Sequence, residues 1–148
     1  MHPLAHPAGL PSRRAGHTMG RMSDVVIILV DHGSRRAEAN EALAAVAELA
    51  GRRLKLTVHV AHLAQGEPTL GQAIERAAGE GARRVVVCPY FLAGGVHSEQ
   101  DIPNQVAQAA GAHPDVRVEI TQPLGPDALL AELVCRRVQP HLPAREAV

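Results

Sequence analysis

The sequence predicts one three-layer α/β domain, in which a four-stranded parallel sheet lies between helices. Short apolar runs of strand length alternate with longer segments whose apolar residues recur at helical spacing. Glycine or proline stands at most junctions between them, and 148 residues suffice for a single domain with its own core. The alternation βαβαβαβα favours the strand order 2-1-3-4, with the first and third strands as central neighbours.

The first 21 residues differ from the rest of the chain. They are rich in proline, glycine and histidine, show no apolar periodicity and lack the apolar middle of a secretory signal. We expect residues 1–21 to be a disordered N-terminal extension, or to lie upstream of a true start at Met22. Residues 22–148 are expected to form the α/β domain.

The first half of the domain predicts two strands with a helix between them. Residues 25–31 are an apolar, β-branched run, which is typical of a buried parallel strand. Residues 35–50 carry alanine, leucine and valine at helical spacing, and Gly51 is expected to end that helix. Residues 54–61 alternate apolar and polar side chains, which predicts a strand with one buried face.

The second half repeats the alternation and predicts three helices and two strands. The punctuating residues set the expected boundaries. The expected elements are a helix over 68–79, a strand over 83–91, a helix over 98–110 that Ser98 caps and that carries Pro103 in its first turns, a strand over 116–120, and a helix over 126–138 that Pro140 closes.

Composition argues against several classes of partner. The formal net charge is zero, so nothing favours nucleic acid or an anionic membrane, and no apolar run approaches the ~20 residues of a membrane span. The chain has neither a Walker A phosphate loop nor a GxGxxG turn, so no nucleotide is expected. Cys88 and Cys135 lack the spacing of a disulfide framework or zinc site, which predicts reduced thiols and a cytoplasmic protein.

Two of the predicted strands end in a histidine beside glycine. His32 follows the first strand and precedes Gly33, and His97 follows the third strand after Gly94 and Gly95. The carboxyl ends of neighbouring parallel strands meet at one edge, where open α/β sheets bind ligands. Neutral imidazole binds divalent metals and accepts protons near pH 7. A single such histidine would more simply hydrogen-bond its own turn, but two on adjacent strands favour a functional site.

Three motifs resemble those of a known family. They are residues 30–35 (VDHGSR), residues 61–69 (AHLAQGEPT) and residues 89–103 (PYFLAGGVHSEQDIP). In this order and spacing they resemble the CbiX/SirB class II chelatases, which include the small sirohydrochlorin chelatases of cobalamin and siroheme synthesis. The resemblance covers nearly everything after Met22. It implies a chelatase-like domain that inserts a divalent metal, cobalt or iron, into the tetrapyrrole sirohydrochlorin without ATP, and it implies a homodimer.

The resemblance also implies roles for individual residues. His32 and His97 would be the catalytic pair and would hold the metal. Substrate contacts are expected from Ser34, Arg35, Tyr90, Gly94 and Gly95. Ser34 could instead cap a helix, Arg35 could be a solvated surface residue, and Phe91 could replace Tyr90, because the two alternate sides in a strand.

Supporting residues and alternatives remain open at this point. His62 is either a third ligand or, with Glu67, a support behind the metal, and it could also be a packing residue. Glu67, next to Pro68, is expected to cap the helix over 68–79. A non-catalytic protein that binds or delivers metal would use the same histidines. A histidine phosphatase would need an arginine where this chain has Asp31. Nickel accepts imidazole as cobalt and iron do, so the metal stays open. Relatives usually carry a glutamate where this chain has Ala64, which puts metal affinity in question.

Overall fold

The computed structural model describes residues 21–144, apart from the side chains of residues 96–98. All but the last residue of the predicted extension, 1–21, therefore lie outside the described residues. The eight main elements alternate as the sequence predicts. They are β1 (Val25–Asp31), α1 (Ala37–Leu54), β2 (Thr57–His62), α2 (Leu70–Gly79), β3 (Arg84–Pro89), α3 (Val96–Ala112), β4 (Arg117–Ile120) and α4 (Ala128–Val138), with short 3-10 turns at Met22–Asp24 and Gln139–His141.

The four strands form one parallel sheet in the order β2-β1-β3-β4, which confirms the predicted topology. Alternate residues of each strand face opposite sides of this sheet. One side packs on α2 and α3, where Ile28, Val87, Ile74 and Ile102 are fully buried. The other side packs on α1 through a smaller cluster that includes Leu29, Leu43 and Ala47. None of the helices within residues 21–144 is long and apolar enough to cross a membrane.

The predicted end of the first helix is wrong. Gly51 lies inside α1, which continues to Leu54 and ends at Lys55 in the left-handed conformation, with φ 56°. A Cβ at Gly51 would lie 3.1 Å from the Leu56 carbonyl oxygen, so this glycine allows close packing of the helix on the following segment. As a result, β2 begins at Thr57 rather than at residue 54.

The starts of the next two helices also decide where candidate residues lie. Thr69 caps α2 in a capping box with Gln72, so Glu67 does not supply that cap. Helix α3 begins at Val96, two residues before the predicted Ser98, because Glu99 N already donates to the Gly95 carbonyl at 3.0 Å. The backbone of His97 therefore belongs to the first turn of α3, and Ser98 follows it inside the helix instead of capping it.

Candidate active site at the carboxyl edge of the sheet

The turns after β1, β2 and β3 begin at the same level of the sheet. Asp31 at the end of β1 pairs with His62 at the end of β2, and Val30 pairs with Pro89 at the end of β3. Tyr90 N extends the last pairing by donating to the Val30 carbonyl at 2.7 Å. This register brings the segments that carry His32, Glu67 and Gly94 to one edge of the sheet, as the sequence predicts from parallel topology.

The Asp31 carboxylate and the buried His62 ring fix the turn that carries His32. Asp31 Oδ1 accepts a hydrogen bond from Gly33 N at 2.8 Å and lies 2.5 Å from His62 Nδ1. His62 is only 2% exposed, so its ring is aimed into the protein and against this carboxylate. This arrangement favours a supporting role for His62 over the role of a third metal ligand. It also holds the Asp31 carboxylate in place behind the exposed His32.

The loop after β2 closes tightly over the same turn. Ala64 N and Gln65 N both donate to the His32 carbonyl, at 3.0 and 3.1 Å. Gly33 has φ +81°, and a Cβ there would stand 1.6 Å from the Gln65 carbonyl oxygen. Only glycine satisfies both the positive φ and this close approach. The backbone of His32 is thus held from two sides.

Asn40 fixes the other end of the turn that carries His32, and the sequence did not predict this role. Its Oδ1 accepts from Ser34 N at 3.1 Å, and its Nδ2 donates to the Ser34 carbonyl at 3.0 Å. The Ser34 hydroxyl oxygen accepts from Arg36 N at 3.1 Å and so closes the local turn before α1. The N-cap of α1 is Arg36, which makes no side-chain cap hydrogen bond, so Ser34 does not cap that helix. The one available signal was an asparagine in the first turn of a helix otherwise rich in alanine. Arg35 is exposed on this turn.

The His32 side chain is exposed at the open edge, next to an aromatic ring. The Phe91 ring meets the His32 ring edge-on, with centroids 4.8 Å apart and planes at 63°. Tyr90 points to the opposite side of the sheet, where it joins the cluster around Leu29. The geometry therefore favours Phe91 over Tyr90 as the aromatic residue beside a ligand at His32.

The loop after β3 forms the other border of this edge. Gly94 and Gly95 are exposed, and a Cβ at Gly94 would come 2.9 Å from Glu99 Oε1. A cavity of about 260 Å³, lined by Pro89, Gly94 and Pro103 among others, lies beside the loop. His97 follows in the first turn of α3, and its side chain is outside the described part of the structure. The pairing of His32 with His97 therefore stays a prediction.

Glu67 lies exposed in the loop between β2 and α2. Among the side chains that the structure describes, no group of three or more histidine, cysteine, aspartate or glutamate residues could hold a metal ion. The described part of the edge therefore offers one exposed imidazole on a rigid turn. Such a group can ligate a metal weakly or accept a proton from a bound molecule. The open edge leaves room for a flat ligand.

Comparison with known sequences gives one family and several relatives. A family model described as CbiX matches residues 26–141. A chloroplastic sirohydrochlorin ferrochelatase of Arabidopsis thaliana is 40% identical over 114 residues, which are 76% of this chain and 51% of that protein. A sirohydrochlorin cobaltochelatase of Methanosarcina barkeri is 32% identical over 124 residues, which are 78% of this chain and 95% of that protein. The chain thus spans about half of the plant relative and nearly all of the archaeal one.

Solved structures agree with the fold. A CbiX protein of cobalamin biosynthesis from Marinobacter aquaeolei matches with a TM-score of 0.70 and 28% identity, over 79% of this chain and 96% of that one. The sirohydrochlorin chelatase SirB of Bacillus subtilis in complex with cobalt matches with a TM-score of 0.74 and 29% identity, over 79% of this chain and 50% of that one. The chain therefore matches one half of the longer protein and almost the whole of the shorter one.

Proposed function

The chain belongs to the CbiX family of sirohydrochlorin chelatases, and on this premise we propose that it inserts cobalt or iron into sirohydrochlorin without ATP. The observation that carries the proposal is the presentation of His32. An exposed imidazole stands at the carboxyl edge of a parallel sheet, on a turn whose backbone is held by the loop after β2 and by Asn40. Such rigidity suits a group that must meet a bound molecule in one geometry.

Insertion requires two protons to leave the inner nitrogens of the macrocycle while the divalent metal binds there. Each macrocycle takes up one metal dication and releases two protons. We assign His32 to proton acceptance or to transient metal binding, since neutral imidazole does both near pH 7. The metal is substrate and ends in the product, so a weak and exposed site suits the reaction better than a closed cage of ligands.

The remaining predicted residues supplement this site. We assign His97, whose backbone begins α3 at the same edge, as the second member of the catalytic pair. Gly94 and Gly95 let the loop after β3 approach a flat ligand closely, because neither carries a side chain. Phe91, rather than Tyr90, is assigned to pack against the macrocycle, and Arg35 to meet one of its peripheral carboxylates.

Two further parts of the proposal concern the protein's setting. We propose a homodimer, because the edge is open and a wide macrocycle needs a second wall. We propose a reducing compartment such as the cytoplasm, because Cys88 and Cys135 are both free thiols. Cobalt and iron both remain candidates as the metal, since imidazole binds either one.

An insertion assay tests the proposal. Sirohydrochlorin is mixed anaerobically with Co²⁺ or Fe²⁺, without nucleotide, and the change in tetrapyrrole absorbance is followed with and without the protein. We expect the protein to raise the rate above the spontaneous one, and His32→Ala and His97→Ala to remove most of this rise while folding normally. His141→Ala is the matched control, since this histidine lies in the C-terminal 3-10 turn and should leave the rate unchanged.

The same assay separates the alternative function. A protein that only binds or delivers metal would bind Co²⁺ in a titration and yet leave the insertion rate at its spontaneous value. Rates that are normal in both His32→Ala and His97→Ala would overturn the assigned residues even if the protein catalyses insertion.

A further inference from the structure

Asn40 occupies a position of α1 that faces the protein rather than the solvent. Residues 37–39 and 41–42 around it are exposed, whereas Asn40 is half-buried. Leu43 and Ala47, three and seven residues further on, are the buried residues of this helix. Residues at this spacing share one face, so Asn40 continues the buried stripe to the end of α1 that lies at the carboxyl edge of the sheet. An amide on an otherwise apolar stripe must find hydrogen-bonding partners.

The Asn40 carboxamide finds both of its partners on one residue, Ser34. Oδ1 accepts from Ser34 N at 3.1 Å, and Nδ2 donates to the Ser34 carbonyl at 3.0 Å. Only one orientation of the carboxamide puts its acceptor on the N–H and its donor on the carbonyl, so the pair of bonds also fixes the carboxamide. The two bonds join the turn after β1 to the body of α1.

The loop after β2 passes directly over this carboxamide. Gly66 has φ +98°, and a Cβ there would lie 3.4 Å from Asn40 Nδ2 and 3.3 Å from His62 Cδ2. The turn after β1, the loop after β2 and the start of α1 therefore meet at Asn40. A movement of its carboxamide would press on the same loop that binds the His32 carbonyl through Ala64 N.

His32 lies between two fixed points of the backbone. Before it, Asp31 belongs to β1 and is paired with β2. After it, Ser34 is held by Asn40 at both its N–H and its carbonyl. With both ends held, the backbone torsions of His32 and Gly33 have little freedom, and the direction of the His32 Cα–Cβ bond follows from them. Without Asn40, the turn would keep only its contacts to the sheet and to the loop after β2.

We propose that Asn40 is a positioning residue for metal insertion. Acting through Ser34, it keeps the His32 imidazole in the orientation in which it meets the Phe91 ring. By the proposed function, on which this inference rests, the same orientation meets the bound macrocycle. Asn40 does not touch the substrate, so its loss should lower kcat and leave the KM for sirohydrochlorin unchanged.

Two substitutions of Asn40 test this role in different ways. Asn40→Ala removes both bonds, and Asn40→Asp keeps an acceptor for Ser34 N but sets its second oxygen against the Ser34 carbonyl. We expect each to lower kcat by about 10–100-fold, the usual loss when a supporting partner of a reactive group is removed. The aspartate separates positioning from helix stability, because a negative charge near the start of a helix stabilises it. If Asn40 served α1 alone, Asn40→Asp would be as stable and as active as the unaltered protein.

Two control variants account for the substitution itself and for lost stability. Asn104→Ala makes the same chemical change at an exposed position of α3. Ala77→Gly weakens α2 at a buried position, where the Ala77 carbonyl accepts from Ala82 N at the opposite edge of the sheet. Both should keep the unaltered kcat at temperatures at which the protein stays folded.

The contact between His32 and Phe91 gives a reading that needs no sirohydrochlorin. The two ring centroids lie 4.8 Å apart, and Phe91 is the only phenylalanine of the chain, so a nuclear Overhauser effect between the ring protons can be assigned. We expect this effect in the unaltered protein and in both controls, and its loss in both Asn40 variants.

Three results would overturn the inference. They are an unchanged kcat in Asn40→Ala, a kcat that falls no further than in Ala77→Gly, and an unchanged Overhauser effect between His32 and Phe91 in both Asn40 variants. If the unaltered protein catalyses no insertion, the proposed function fails, and the Overhauser effect by itself then decides whether Asn40 orients His32.

Discussion

Replacing Gly33 by alanine should damage both stability and activity, and the structure gives the size of the effect. The residue has φ +81°, which costs an L-residue about 1–2 kcal/mol. The new Cβ would also stand 1.6 Å from the Gln65 carbonyl oxygen, so the loop after β2 must move. That movement breaks the hydrogen bonds from Ala64 N and Gln65 N to the His32 carbonyl, each worth about 0.5–1.5 kcal/mol.

We therefore expect Gly33→Ala to lower the free energy of unfolding by about 2–5 kcal/mol. Urea denaturation followed by far-UV circular dichroism measures this change, provided that the slope against urea stays constant. The insertion rate should fall about 100-fold, because a displacement of about 1 Å in a reacting group is enough for such a loss.

Two other glycines separate the cost of backbone strain from the cost of displacing the loop after β2. Gly81 has φ +90°, but a Cβ there would meet nothing within 4 Å, so Gly81→Ala should cost only the backbone strain of about 1–2 kcal/mol and leave insertion unchanged. Gly111 lies in α3 with open space, and Gly111→Ala should be neutral or stabilise by about 0.5–1 kcal/mol. If Gly33→Ala costs no more than Gly81→Ala and keeps its insertion rate, the tight closure of the loop over His32 is refuted.

Three other changes test separate parts of the chain. Ala64→Glu should raise cobalt affinity or the insertion rate by up to about 10–100-fold, because a carboxylate in this exposed loop can support the metal beside His32; normal folding with no gain in a cobalt titration would contradict it. Removal of residues 1–21 should leave the melting temperature and the insertion rate unchanged, and a drop of several degrees would show that the segment packs on the domain. The hydrogen bond with His59 lowers the pKa of Glu80 below its ordinary 4.5, so this carboxylate stabilises the fold above that pH, and the contribution is lost as the pH falls through the lowered pKa. When the pH is lowered from about 5 to about 3, Glu80→Gln should therefore lose less free energy of unfolding than the unaltered protein, as urea titrations measure. An equal loss in both proteins would contradict the pairing of Glu80 with His59.

The sequence predicted elements well where one local signal dominated. Residues 25–31 form β1 with the predicted bounds. The ends of the β-branched run between polar residues are also the ends of the strand. The end of α1 was predicted wrongly because glycine has two uses. At Gly51 it serves a close helix–strand approach, and the left-handed position that ends the helix is taken by Lys55. Sequence cannot separate these uses, since the approaching Leu56 carbonyl is a tertiary contact.

The site shows the same division between local and tertiary information. His32 could be singled out from the sequence because it lies on a glycine turn after a strand, and the parallel order predicted which other turns share its edge. The clamp by Asn40 and the bond between His62 and Asp31 could not, because each joins residues whose spacing is set by how the chain folds back. The choice of Phe91 over Tyr90 depended on which side of the sheet each ring faces once β3 ends.

By itself, therefore, the sequence determined the alternation of strands and helices, the parallel order of the sheet and the edge at which His32 lies. These features depend on periodicity and on the handedness of crossovers, which are properties of neighbouring residues. The tertiary structure decided how rigidly His32 is held and which aromatic ring meets it. It also decided that α4 leaves Leu129 and Val134 exposed. Those outcomes depend on close approaches between distant segments, such as Gly33 to Gln65 and Gly125 to Leu92, which no local pattern encodes.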